Sequence, residues 1–299
     1  MERQVNFDKE LKKRQEAVEK IIASYLPAEK GLEKDLVVAM NYSMKAGGKR
    51  IRPILMKEAY EMFGGEDDNA DAFIAAIEMI HTHSLIHDDL PALDDDKMRR
   101  GKPTAHVVYG EAVAILSGDA LLNYGYETAW KTFQKDVDVV RIRRALEVLL
   151  NKTGIHGMLG GQAVDVMNEG KTISRDMLDY IYQNKTAALI ESSLMIGAVL
   201  AGASKEEVKV MEQLGFYIGM AFQIQDDILD VMSSSQKLGK TAGSDAKNNK
   251  ATYVSLKGLE SAKEEVADMT TLALQLLDKL PKKDEFLFEL TKYLMTREQ

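Results

Sequence analysis

The sequence predicts an all-α fold, and three observations predict it. No proline falls between Pro103 and Pro281, so the strongest helix breaker is missing from more than half of the chain. The same interval is rich in Ala, Leu, Met, Glu and Lys, which all favour helix. Apolar side chains recur at helical spacing, as in Phe73, Ile77 and Ile80 or Leu189, Ile196 and Leu200, while sustained β-branched alternation is hard to find.

Taken in order, Gly47-Gly-Lys49-Arg50-Ile-Arg52-Pro53 reads as a turn entering a helix, and Gly64-Gly65 as the next break. An apolar helix then runs through Phe73 to His87, where Pro91 stops it. Further breaks are expected at Arg99 to Thr104, Gly154 to Gly161, Gly202 to Ser204 and Leu238 to Asn249. No Pro/Ser/Gly-rich linker divides the chain and no fixed-period repeat occurs, so one domain over residues 1–299 is expected. Roughly ten or more helices of average length fit it.

The 299 residues are 45% hydrophobic, enough for a sizeable core and too many for a disordered chain. A net charge of −8 counts against nucleic acid as a partner. Cysteine is absent, which removes disulfides, zinc–thiolate sites and thiol nucleophiles together and fits a reducing compartment. Met1 to Arg14 alternates charges with no apolar stretch, so no signal peptide is expected. Leu194 to Ala203 is far short of the roughly 20 apolar residues of a membrane span. The expected location is the cytoplasm.

Two acidic clusters carry the chemistry. The first is His87-Asp88-Asp89-Leu-Pro91-Ala-Leu-Asp94-Asp95-Asp96, followed by Arg99 and Arg100. On an unbroken helix Asp88 and Asp94 would stand ~120° apart, but Pro91 lets the chain curl Asp94 back towards Asp88. Oxygen donors without a His/Cys mixture favour a hard cation such as Mg²⁺, although such a run by itself also describes a solvated loop. The second cluster, Gln223-Ile-Gln-Asp226-Asp227-Ile-Leu-Asp230, sits in an apolar run where uncompensated carboxylates are costly. Asp226 and Asp230, four apart, share a helical face. Two such clusters facing one another would hold Mg²⁺ around a polyanion. The Gly-Gly turn before Lys49-Arg50-Ile-Arg52 offers cations and backbone donors at a helix start, yet it is no Walker loop.

The segments GGKRIRP (47–53), HDDLPALDDDKMRRGKPTAH (87–106), QNKTAALI (183–190) and QIQDDILD (223–230) resemble, in order and spacing, the trans-isoprenyl diphosphate synthases, most of all the bacterial farnesyl diphosphate synthases (geranyltranstransferases). The resemblance implies an all-α isoprenoid synthase fold, a homodimer, and condensation of isopentenyl diphosphate with an allylic diphosphate. It implies about three Mg²⁺ ions on Asp88, Asp94 and Asp226, supported by Asp89, Asp227 and Asp230 directly or through water. Arg99, Lys185 and Lys240 would contact the allylic diphosphate. Lys49, Arg52, His81 and Arg100 would hold the diphosphate of isopentenyl diphosphate, with Gly48 offering backbone. Thr186 and Gln223 would line the reaction centre, with Lys250 near its mouth, while Gln162 and Asp165 would organise the cavity or form an ordinary buried network.

Product length is expected to be set by Ser84 and His83, four and five places before Asp88, beneath the growing chain. Histidine is intermediate in bulk and departs from the aromatic residue common in bacterial farnesyl synthases, so it does not choose the product; the resemblance implies farnesyl, with geranylgeranyl the alternative. His81, His83 and His87 also suggest a metal-dependent phosphohydrolase, but with five histidines in all the chain lacks the further ligands that class needs. A class I terpene cyclase would lack Lys49, Arg52 and Arg100, and a non-catalytic regulatory subunit tends to lose its aspartates.

Overall fold

The computed structural model describes residues 2–135, 138–236 and 251–296. They are helical almost throughout, and the only strands among them are two residues long, so the all-α expectation holds. The chain resolves into two compact units, Met1–Leu146 and Glu147–Gln299, whose boundary falls inside one helix.

In the first unit the helices are α1 (Glu2–Tyr25), α2 (Lys34–Met44), α3 (Ile51–Met62), α4 (Asp71–Asp88), α5 (Ala105–Tyr109) and α6 (Glu111–Trp130). A short antiparallel hairpin, β1 (Met98–Arg99) and β2 (Lys102–Pro103), lies between α4 and α5 in sequence, with Arg99 opposite Lys102. Every residue of α4 from Ala72 to Ile80 is buried, and all but Glu78 are apolar. It packs mainly on α6, and also on α1 and α3. Two glycines bring α6 close: a Cβ at Gly125 would stand 2.8 Å from Ile80 Cγ1, and one at Gly118 would meet the His87 ring.

The helix α7 (Val139–Thr153) spans the boundary. The second unit continues with α8 (Met158–Met167), α9 (Arg175–Ile181), a π-helical turn at Tyr182–Ala187, α10 (Ala188–Ala201), α11 (Lys205–Gln236), α12 (Tyr253–Lys257), α13 (Leu259–Lys279) and α14 (Glu285–Thr296). Its centre is α10, buried from Ala188 to Leu200 and ended by Gly202 in the left-handed region (φ 90°). The long α11 lies on it through Gly215 and Gly219, where a Cβ would come within 2.5 Å of Glu191 Cα and 2.3 Å of Ala187 Cβ. Buried Glu191 is paired with Lys152, which also reaches Glu212 at 2.7 Å.

The expected breaks at 64–65, 99–104 and 202–204 are present. That at 154–161 is shorter, because Gly160 and Gly161 lie inside α8. Gly161 is a contact glycine, not a breaker: a Cβ there would meet the Lys185 backbone nitrogen at 2.3 Å. The break at 238–249 lies outside the described residues.

Candidate active site

In the first unit the turn between α2 and α3 is built from residues that leave ordinary backbone space. Gly47 (φ 83°), Gly48 (φ 140°) and Arg50 (φ 52°) all have positive φ. Gln15 Nε2 donates to the Gly48 carbonyl at 2.6 Å. The hairpin is tied to the same region: Tyr42 Oη donates to Pro103 O at 2.8 Å, Lys102 Nζ to Lys45 O at 3.2 Å, and Arg100 Nη1 to Gly47 O. The Arg100 guanidinium occupies the space where Gly48 has no side chain, since a Cβ there would lie 2.5 Å from Arg100 Cζ.

Arg52, in the first turn of α3, places Nη1 3.4 Å from His81 Nε2, while its Nε is buried without a hydrogen-bond partner among the described residues. Burial lowers Arg52 to about 10 against the pull of Glu78. Burial also holds His81 well below the usual imidazole range, reinforced by Arg52, Arg100, Arg50 and Arg99, so the ring is neutral. The structure thus gathers Gly48, Arg52, His81 and Arg100, with Lys49 exposed on the same turn. A half-buried guanidinium with an unused donor beside a neutral imidazole fits an anion with several oxygens.

At the end of α4 the curl expected from Pro91 is present. Leu93 N–H donates to Leu90 O at 2.8 Å and Asp94 N–H to Asp88 O at 2.9 Å, which folds Asp94 back on Asp88. Asp88 is half-buried and Asp94 exposed, whereas Asp89 turns inward and is buried. Its two oxygens accept from Arg99 Nε at 2.7 and 2.9 Å, and Arg99 Nη2 lies 2.6 Å from Oδ1. Desolvation raises the Asp89 carboxyl and Arg99 opposes it. The two residues expected at the metal and the diphosphate are therefore paired with each other.

In the second unit a π-helical turn, a feature that often marks functional sites, carries Lys185 and Thr186. Lys185 Nζ bonds Asp165 Oδ2 at 2.6 Å, and Thr186 Oγ1 donates to Gln223 Oε1 at 2.9 Å. Asp165, Lys185, Thr186, Gln223 and Asp227 line one cavity of about 120 Å³. Asp226 and Asp230 are half-buried, but Asp227 is buried and its Oδ2 accepts from Tyr182 Oη at 2.6 Å and from Tyr253 N–H at 2.8 Å. Lys240 and Lys250 lie outside the described residues.

In each acidic pair one aspartate is thus anchored by protein donors, which leaves Asp88 and Asp94, or Asp226 and Asp230, as the more accessible carboxylates. Among the described residues no three His, Asp or Glu side chains form a metal cage. Mg²⁺ asks for less, since one or two carboxylates with water and substrate phosphate complete its shell, and the oxygen donors here suit it.

His83, expected at the floor of the product cavity, is 3% exposed on the face of α4 that meets α6, with Nδ1 3.0 Å from the Gly118 carbonyl. Its ring packs edge-on against His87 at 4.6 Å, and burial lowers it to about 4. His87 Nε2 lies 3.1 Å from Ile115 O, so these two histidines bind carbonyls of α6. Ser84 Oγ donates within its own helix to His81 O at 2.9 Å. Sequence reasoning missed Arg50, Glu78, Tyr182 and Tyr253. Arg50 sat within the quoted GGKRIRP segment, but nothing in that motif shows that its side chain points inward.

The all-α fold is shared with solved prenyl diphosphate synthases. The polyprenyl synthetase family model matches residues 33–289, and the chain belongs to that family. A farnesyl diphosphate synthase of Geobacillus stearothermophilus is 42% identical over 88% of this chain and 89% of its own. A chloroplastic geranylgeranyl pyrophosphate synthase of Capsicum annuum is 47% identical over 80% of this chain and 65% of its own. The crystal structure of a geranylgeranyl pyrophosphate synthetase from Pyrococcus horikoshii superposes with a TM-score of 0.88 at 30% identity, covering 99% of this chain and all of that one. The protein is a prenyltransferase.

Proposed function

We propose that the protein joins isopentenyl diphosphate head-to-tail to dimethylallyl and then geranyl diphosphate, giving farnesyl diphosphate and pyrophosphate. The observation that carries this reading is the cation cluster of the first unit, with Arg52 on neutral His81 and Arg100 seated over Gly48. It suits the diphosphate of the homoallylic substrate, which needs fixed donors and no metal of its own. Lys49, on the exposed side of the same turn, adds a mobile cation.

Asp88 and Asp94, and separately Asp226 and Asp230, would hold Mg²⁺, which when bound would supply positive charge to the allylic diphosphate as its carbon–oxygen bond opens. Lys185 adds positive charge where negative charge develops on the leaving group. The oxygens of Thr186 and Gln223 offer partial negative charge to the allylic cation. The double bond of isopentenyl diphosphate then attacks that cation, and the proton lost in restoring an alkene passes to the pyrophosphate just released. Apolar walls exclude the water that would otherwise trap the cation.

His83 supports a farnesyl product because its ring is fixed and buried. Since relatives of both product lengths match, geranylgeranyl diphosphate is the alternative. We further propose a cytoplasmic homodimer. No helix among the described residues is long and apolar enough to cross a membrane, and Val107, Val108, Ile115 and Leu116 leave apolar surface on α5 and α6. Pyrophosphate release tests the reaction. Release should require both substrates and stop on chelation of Mg²⁺; release from the allylic substrate alone at the full rate, or in the presence of chelator, overturns the mechanism.

A further inference from the structure

The cation cluster of the first unit contains a carboxylate that substrate binding does not explain. Glu78 lies on α4 one turn before His81, is 1% exposed, and places Oε1 2.6 Å from Arg50 Nη1. Arg50 is equally buried. Its Nε lies 2.7 Å from Glu19 Oε1 and its Nη2 donates to Met44 O at 2.6 Å. Its backbone (φ 52°) caps α3, so its side chain ties α1, the end of α2 and α4 to the turn that carries Gly48, Lys49 and Arg52.

With the partly exposed Glu19 already on Arg50, the buried Glu78 carboxylate exceeds what one guanidinium needs for neutrality. Its charge also reaches Arg52 and Arg100, where it favours the charged forms. Burying a carboxylate is costly, and against a site meant to attract anions it works in the wrong direction unless weaker attraction is useful. Weaker attraction is useful where a bound anion must depart: without it, fixed arginines would retain free pyrophosphate and compete with fresh substrate.

We infer that Glu78 sets the affinity of the homoallylic diphosphate site, its buried negative charge holding the Arg52–His81–Arg100 cluster below the strength at which free pyrophosphate would block it. This rests on the assignment of that cluster to a diphosphate. It makes Glu78 a positioning and charge-setting residue, not a catalytic one.

The sign of the effect separates this role from a merely structural one. Glu78→Gln keeps an acceptor for Arg50 and removes the charge. Losing one negative charge a single helical turn from His81 tightens anion binding on the order of tenfold at an effective dielectric near 20. Titrate inorganic pyrophosphate calorimetrically into the full-length protein with chelator present, so that only metal-independent sites report. The expected result is a dissociation constant about tenfold lower for Glu78→Gln, wild-type-like for Glu78→Asp, and two- to threefold lower for Glu19→Gln, whose carboxylate is partly exposed. The KM for isopentenyl diphosphate should fall in step and that for geranyl diphosphate should not.

Unchanged or weaker pyrophosphate binding by folded Glu78→Gln overturns the inference. Should that variant not fold, unchanged or weaker binding by Glu19→Gln overturns it instead. Failure of the underlying assignment looks different: wild-type protein then binds no metal-free pyrophosphate, or binds it undiminished after Arg52→Met.

Discussion

Replacing Tyr182 with phenylalanine removes one hydroxyl and almost nothing else. The ring is 7% exposed and lies 5.7 Å from that of Tyr253, so phenylalanine fills the same space and leaves no cavity. What is lost is the 2.6 Å bond to Asp227 Oδ2, on a carboxylate 2% exposed that water reaches poorly. A hydrogen bond to a buried charge contributes about 1.5–3 kcal/mol, and in a chain of this size about 2 kcal/mol corresponds to a fall in Tm of roughly 3 °C. Asp227→Asn keeps an acceptor for Tyr182 Oη and Tyr253 N–H while losing the charge, so it should cost about half as much. Turnover should also fall, because Asp227 is flanked on α11 by Asp226 and, one turn earlier, by Gln223. Thermal unfolding followed by circular dichroism reads the first effect. A Tm for Tyr182→Phe within about 1 °C of wild type would refute the view that this aspartate is anchored from the protein side.

Other substitutions would separate the two proposed diphosphate sites. Gly48→Ala forces a Cβ against the Arg100 guanidinium at φ 140°, with strain of about 1–3 kcal/mol, so KM for isopentenyl diphosphate should rise about tenfold or more while that for geranyl diphosphate holds. Lys185→Met breaks a pair with Asp165 that is only partly buried, so stability should change by less than about 1 kcal/mol while KM for the allylic substrate rises steeply. His83, lowered to about 4, stays neutral in the folded protein while the unfolded chain takes up a proton below about 6.5. Stability contributed by the neutral ring is thus fully present above 6.5 and lost as pH falls towards 4, by on the order of 3 kcal/mol. Urea midpoints across that window should flatten in His83→Gln, and His83→Ala should lengthen the product.

The sequence made some of this legible and not the rest, for physical reasons. Helical class follows from proline-free, alanine- and leucine-rich stretches whose pattern is local. The curl that returns Asp94 to Asp88 follows from Pro91, again a local cause. Spacing also put Asp226 and Asp230 on one face. Spacing alone does not reveal that Asp89 and Asp227 turn inward, because their partners Arg99, Tyr182 and Tyr253 arrive from other elements. Arg50 shows the same limit: its αL backbone and its carboxylate partners 31 and 28 residues away are products of packing. Gly161 looked like a breaker and is a point of contact, a distinction that only its neighbour Lys185 reveals.

The central claim is that this chain elongates an allylic diphosphate with isopentenyl diphosphate and stops at farnesyl. It is tested most directly by incubating the purified protein with isopentenyl diphosphate and, separately, dimethylallyl, geranyl and farnesyl diphosphate in Mg²⁺ buffer, then weighing the products by mass spectrometry. Farnesyl diphosphate from the first two primers and little or no extension of the third is the expected outcome. Geranylgeranyl diphosphate made efficiently from farnesyl diphosphate would contradict the product assignment, and no elongation of any primer would contradict the function itself.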